Sequence, residues 1–499
     1  MPCEGIDATK VVNVFRSKAA TMAGGLIQSH APSRTQVPAS TILKMKFLDS
    51  PEQPSGFQRI SRLAAVFGVV VQQGAFVSSP VLTKFVSDIG SSDSQASNIL
   101  NTLAVFLNIV CIAPLCLLQY RQVIRTVNGN RVAIALMVLM FLSTTWSIHP
   151  DVTFRRDVTY FSTVLTAFYL ATRFDVDEIM KIVSYGIAIS VVFSFLFVAA
   201  FPTDAIHQPS PWPVEGINDI AGSWMGVFAH KNVLGHVMSV GVLAELYILT
   251  ATKLRSFWQA VWHILVLCGC VALIALARSG TAMVLTAIYF LGTIAFLLLR
   301  RAHQYFGVGL AMLVVVATTV GLIFWAYPTS VLGLLGSDPT LTGRTQLWDI
   351  VLRLIWERPL LGWGYSAMWL PKDDLTLAIS DAVGWTVPEA HNALLEVTLG
   401  LGIVGLAAVV TFIAVSIWRA IRCLLTGRYT LGVYSLVFFL AINLSGITES
   451  TLAQNQNIEW VVFNVLSICC GLEISRRRVS DKSESNYSPI FDMIGAHPS

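Results

Sequence analysis

Charge is scarce in this chain. Asp, Glu, Lys and Arg make up 12% of its 499 residues, against roughly 25% in an average soluble domain, while 55% are hydrophobic. That imbalance excludes an ordinary soluble fold and points to a polytopic membrane protein. The net charge of +4 is small for the length, so no nucleic-acid partner is expected. Cysteine chemistry is missing too. There is no CxxC pair and no Cys/His metal spacing, and Cys111, Cys116, Cys268, Cys270, Cys469 and Cys470 lie inside apolar runs, where thiols act as small hydrophobes. No apolar core of signal-peptide length follows Met1. Residues 1–62, with Pro32, Pro38, Pro51 and Pro54, read as a cytoplasmic N-terminal tail.

Long apolar runs are what the chain has in quantity. A spanning helix needs about 20 mostly apolar residues. By that measure the sequence predicts an all-α protein with about twelve transmembrane helices between residues 63 and 474. They fall near 63–83, 97–118, 131–146, 157–173, 178–201, 231–251, 257–277, 281–300, 304–326, 390–417, 429–447 and 456–474. Alternate loops collect Arg121, Arg125 and Arg131, then Lys253 and Arg255, Arg300 and Arg301, Arg419, Arg422 and Arg428, and the run Arg476 to Arg478. Basic loops stay in the cytoplasm, so both termini, including the tail 475–499, are expected there. The two halves share no matching pair of broken helices, the usual mark of a transporter's midplane site.

The outward loops are poor in cations, which makes the exceptions informative. Arg155, Arg156, Lys231, Arg278, Arg344, Arg353 and Arg358 all fall on that side. Most of the outward polarity lies in one long segment, 327–389, placed on the periplasmic side. Within it, Leu347, Ile350, Val351, Leu354 and Ile355 share one face over 344–358, which predicts a helix lying in the interface rather than crossing it. Arg344 at its first turn, beside free backbone N–H groups, suits an anion; pairing with an acidic neighbour or a lipid phosphate suits it equally. Lys372 to Pro388 reads as a polar loop whose Asp373, Asp374 and Asp381 are solvated.

His391 opens the next span, where an imidazole can move a proton near neutral pH. Asn392 and Glu396, four apart, face the same way and suit a substrate hydroxyl. His230, Lys231 and Asn232 open the sixth span, Arg278 sits at a helix-to-helix turn, Arg155 follows Trp146-Ser-Ile-His-Pro150, and Thr448-Glu449-Ser450 precedes the last span on the same side. Separated cations around a histidine on one outer face fit a diphosphate clamp, because arginine binds phosphate bidentately and keeps its charge. A membrane-attached diphosphate facing outward suggests a polyprenyl-diphosphate-linked sugar.

These motifs resemble the O-antigen ligase and polysaccharide polymerase superfamily of the bacterial inner membrane. The likeness rests on Trp146-Ser with Pro150, on Ala-His-Lys-Asn-Val-Leu-Gly over 229–235, and on Thr-Gly-Arg-Thr-Gln-Leu-Trp over 342–348 with Arg-Pro-Leu-Leu-Gly-Trp-Gly over 358–364. It is completed by His-Asn-Ala-Leu-Leu-Glu over 391–396 and Leu-Gly-Ile-Val-Gly over 401–405. The resemblance implies a metal-independent, cofactor-free glycosyltransferase using an undecaprenyl-diphosphate-linked oligosaccharide at the periplasmic face. Its loop arginine corresponds to Arg344 and its loop histidine to His391. Where the family carries a basic residue after the seventh span this chain has Gly280, with Arg278 two residues earlier, about 3 Å of helical rise away. Partners implied are membrane lipids, a chain-length regulator and a flippase of the same pathway. The motifs most resemble exopolysaccharide polymerases of the succinoglycan type. The alternatives are an O-antigen ligase delivering glycan to lipid A core and, less well supported, a lipid-linked-sugar transporter.

Overall fold

The computed structural model describes residues 55–74, 83, 93–208, 220–301, 344–370 and 373–493. Those residues form helices joined by turns, with a single isolated bridge between Ile206 and Trp224 and no strand among them. In chain order the helices are α1 (Ser55–Gln72), α2 (Asp93–Leu118), α3 (Tyr120–Gly129), α4 (Arg131–Ser143), α5 (Pro150–Arg173), α6 (Val176–Ala200) and α7 (Pro202–Ala205). There follow α8 (Lys231–Ala251), α9 (Phe257–Ala277), α10 (Gly280–Arg301), α11 (Arg344–Glu357), α12 (Asp374–Val383), α13 (Ala393–Leu425), α14 (Tyr429–Ser445) and α15 (Ile458–Met493). Met1–Gln58 and Arg59–Ser499 are separate units, and only the first turn of α1 is described in the former. Residues 1–54 of the expected N-terminal tail and the expected span at 304–326 lie outside the described residues, while 55–62 form the start of α1 rather than a tail.

The protein is all-α and polytopic, but the count of twelve spans is not reached among the described residues. Seven helices are long and apolar enough to cross a membrane, or eight if α3 and α4 form one broken span. The shortfall has local causes. The expected third span is a 13-residue helix, α4, set at 90° to α3, and 13 residues rise only about 20 Å. The fourth, α5, is long enough but polar, because Thr153, Asp157, Ser162, Thr163 and Thr166 are buried along it. Those groups are paired inside the bundle. Asn108 donates to Ser162 at 2.7 Å and to Thr166 at 2.9 Å, while Gln72 and Thr163 join at 2.7 Å. In a bilayer such bonds draw helices together, since the alternative is a polar group in hydrocarbon. The first span stops at Gln72, well short of residue 83.

Helix α8 is the axis of the bundle. Its span is 83% buried, against 28% for the span in α2. Glycines let neighbours close on it: a Cβ at Gly235 would meet Ser279 of the α9–α10 turn at 2.8 Å and Ala282 of α10 at 2.9 Å.

The outer segment between α10 and α13 has a core of its own. Leu347, Val351 and Leu354 of α11 pack with Met368, Trp369, Ile379, Val387, Ala390 and Leu399. The helix expected over 344–358 thus forms, with the buried face the sequence pattern assigns. The stretch expected as a polar loop after Lys372 contains a helix instead, although Asp374 and Asp381 are exposed as expected: Asp373 accepts from Thr376 N and caps α12, which buries Thr376 and Ile379. Its other carboxylate oxygen lies 3.1 Å from His149 Nε2.

This segment is sewn into a break in α13. Gly402, at φ 63° and ψ −164°, interrupts the helix in a region open essentially to glycine alone. The amides freed by the break find partners in the outer segment, Ile403 N on Pro359 O at 2.8 Å and Val404 N on Leu360 O at 3.4 Å. In return Trp363 N and Gly364 N donate to Leu399 O and Gly400 O, both at 2.9 Å. A Cβ at Gly402 would collide with the Leu360 carbonyl. Gly402→Ala therefore costs upward of about 2 kcal/mol in strain and displaced packing. Thermal unfolding of the detergent-purified variant should show a midpoint several degrees lower, and an unchanged midpoint would contradict the seam.

Candidate active site

Arg344 and His391 are 47 residues apart in sequence, yet both reach one carboxylate. Glu449 stands in the Thr448–Ser450 turn between α14 and α15. Arg344 Nη1 donates to Thr448 O at 2.6 Å, and its Nη2 lies 3.4 Å from Glu449 Oε1. Asn232 Nδ2, from the first turn of α8, donates to the same oxygen at 3.0 Å. His391 Nδ1 lies 3.5 Å from Glu449 Oε2 and 3.2 Å from Glu389 Oε1, with hydrogen-bond geometry to neither. The arginine comes from the outer segment, the asparagine from the bundle, and the histidine from the join between them.

The first turn of α8 is organised by a pair of histidines. His230 caps the helix, its Nδ1 accepting from Asn232 N at 3.2 Å. The His207 ring meets it edge-on at 5.1 Å between centroids, and His207 Nε2 accepts from Lys231 N at 3.4 Å. An accepting ring nitrogen must be unprotonated. The electrostatics agree: burial first, then the neighbouring His207, push His230 down from 6.5 to about 4. Burial, with Lys231 beside it, lowers His207 as well. Lys231 Nζ donates to Arg278 O at 3.2 Å and so holds the left-handed turn at Arg278 (φ 49°). The Arg278 side chain is exposed and its Nη1 approaches Gly222.

His391 itself sits in strained backbone, φ 49°, which costs a branched or bulky residue roughly 1 kcal/mol or more. Its neighbours hold it there. Ala390 N donates to Glu396 Oε2 at 2.8 Å, Trp348 Nε1 donates to Ala390 O at 3.0 Å, and Ala393 N donates to Gly446 O at 2.8 Å. The Trp385 ring lies 5.6 Å from the imidazole. Glu396 is engaged throughout, accepting also from Trp369 Nε1 at 3.0 Å on each oxygen. Asn392 Oδ1 caps α13 through Leu394 N and Leu395 N, and its Nδ2 donates to Ile447 O at 3.2 Å.

The contacts therefore gather Arg344, His391, Asn232, Lys231, His230 and the Arg278 turn. Asn392 and Glu396 shape the backbone around them. Arg155 is turned out to solvent and pairs with Asp151 at 3.2 Å. Its neighbour Arg156 instead reaches inward to Ser366 O, and to Met368 O at 3.2 Å, fastening the outer segment to α5. Two carboxylates complete the cluster, Glu449 and Glu389. Burial pushes Glu449 up, but His391 and Arg344 outweigh it and hold the carboxyl at about 2. Burial and the adjacent Glu449 push Glu389 up to about 7, against the pull of His391. The sequence signal for Glu449 is its place in Thr448-Glu449-Ser450, an outward turn just before the last span.

Two comparisons with known proteins bear on this arrangement. Residues 263–410 match a family model described as O-antigen ligase, a stretch that carries Arg278, Arg344, Glu389 and His391 but not Asn232 or Glu449. Over 322 residues, 63% of this chain and 70% of its relative, the sequence is 25% identical to "Exopolysaccharide production protein ExoQ" of Rhizobium meliloti (strain 1021). With the all-α membrane architecture and the shared motifs, these matches support the resemblance to the O-antigen ligase and polysaccharide polymerase superfamily.

Proposed function

We propose that this protein is a glycosyltransferase that polymerises exopolysaccharide, joining undecaprenyl-diphosphate-linked oligosaccharide repeat units at the periplasmic face of the bacterial inner membrane. The observation that carries the reading is the convergence of Arg344 and His391 on Glu449, at 3.4 and 3.5 Å. The exopolysaccharide relative supports a polymerase. In the reaction the acceptor hydroxyl oxygen bonds to the anomeric carbon as the bond to the diphosphate breaks with inversion. Arg344, with Arg278 and Lys231 across the first turn of α8, neutralises the departing diphosphate. His391 takes the hydroxyl proton.

The proposed reaction needs no metal. Donor atoms of Glu389, His391 and Glu449 lie within 4.8 Å of one another, a spacing that an ion could bridge. Glu449 Oε1, however, already accepts from Asn232 and faces the Arg344 guanidinium, so a cation there competes with a fixed positive charge. Excess chelator should leave polymerisation by the purified protein unchanged.

Arg344→Ala and His391→Ala should each abolish polymer while the protein stays at normal abundance in the membrane. Persistence of polymer in both variants would overturn the site. A second reading, ligase, is favoured by the description of the matching family model. Glycan from a deletion strain separates the two. Single lipid-linked repeat units indicate the polymerase, whereas intact free polymer beside unsubstituted lipid A core indicates the ligase. The same proposal puts residues 1–62 and 475–499 in the cytoplasm, and topology reporters fused to either end check it: a periplasmic signal would contradict the orientation. A chain-length regulator and a flippase of the pathway are the protein partners this reading calls for.

A further inference from the structure

His391 Nδ1 faces two carboxylates that differ in how firmly they are held. Glu449 is anchored from two elements, by Asn232 at 3.0 Å and Arg344 at 3.4 Å. Glu389 is on the His391 strand of chain itself, two residues before it, and its Oε1 is the nearer at 3.2 Å. Both sit too far off line for a formed hydrogen bond, as is common before a substrate tightens a site. Whichever carboxylate takes the Nδ1 proton turns Nε2 into the accepting nitrogen of the ring.

Resting on the glycosyl-transfer reading above, we propose that Glu389 is a positioning residue of the site: it holds the proton on His391 Nδ1 and leaves Nε2 as the base for the acceptor hydroxyl. As the acceptor oxygen attacks, its proton passes to Nε2, and the imidazolium formed keeps its Nδ1 proton against Glu389. Glu449 is the more distant, its Oε2 at 3.5 Å, and its other oxygen is taken by Asn232 and Arg344, so the role falls to Glu389. The strained turn at His391 supports the assignment, since such backbone persists only where surrounding contacts fix it.

The groups that bear on Glu389 are His391, Glu449, Glu396 and, one helical turn below Asn232, His236. Burial and the two carboxylates bring Glu389 up to about 7. Its ionised form, the one that accepts from Nδ1, is therefore lost as the pH falls through about 7 and is fully present above it.

The test uses purified full-length protein in lipid nanodiscs with the undecaprenyl-diphosphate-linked repeat unit isolated from a deletion strain. Wild-type kcat should fall on going from about pH 8 to about pH 6. Glu389→Gln should lower kcat at about pH 8 by roughly 10- to 100-fold with little change in KM, and should displace that acid limb. Glu389→Asp keeps the charge and should retain the limb at a reduced rate. An unchanged rate and profile in Glu389→Gln, or a wild-type kcat that does not fall over this range, would overturn the inference. Should Glu389→Gln fail to accumulate, the wild-type profile and Glu389→Asp decide it. His391→Ala run in parallel distinguishes the failures: activity there sinks the glycosyl-transfer site, whereas an inactive His391→Ala beside a normal Glu389→Gln sinks this inference alone.

Discussion

The site depends on one buried carboxylate. Glu449 is contacted from α8 by Asn232, from α11 by Arg344, and from the start of α13 by His391. An isolated ionised carboxylate at this depth would be costly. Its charge is tolerable because a guanidinium and an amide meet it, and those groups are held in place because it is there. The cations proposed to hold a diphosphate thus start from a fixed arrangement. Without the glutamate, Arg344 would lose the one acidic partner it has among the described residues, and the outer segment would lose its tie to α8.

A second constraint sets the distance between the two halves of the site. The break at Gly402 exposes amides that the backbone at Pro359 and Leu360 satisfies. Trp146 Nε1 donates to Leu361 O at 2.9 Å, and Ile148 N donates to Trp363 O at 3.1 Å. Three of the motifs that carry the family resemblance, at 146–150, 358–364 and 401–405, therefore meet along one seam. Their business is to seat α11 over the bundle. The Thr-Gly-Arg and His-Asn motifs, by contrast, deliver groups to Glu449.

Much of this was legible in the sequence, and what was not has physical causes. Apolar periodicity found α11 to within a residue and gave its buried face, because an amphipathic helix writes its environment at a fixed spacing. The same measure of hydropathy handled α4 and α5 poorly. A bent pair and a helix that buries Ser162, Thr163 and Thr166 do not look like simple spans. Arg344 and His391 were selected by residue type and position. Glu449 is marked in the sequence only by its place just before the last span, while its role comes from contacts with residues 58 to 217 positions away, a relation no local pattern records. Asn392 and Glu396 looked like substrate ligands because they share a helix face. In the fold Asn392 is a cap and Glu396 a clamp on Trp369, uses that local spacing does not distinguish from binding.

The central claim is that Arg344 and Glu449 act as one unit joining the outer segment to the bundle. A double-mutant cycle on kcat/KM for polymer formation by purified protein tests it most directly, with Arg344→Ala, Glu449→Gln and the pair together. The account predicts strong coupling, with Glu449→Gln adding little once Arg344 is gone. Effects that simply add, each variant costing as much in the other's background as alone, would contradict it.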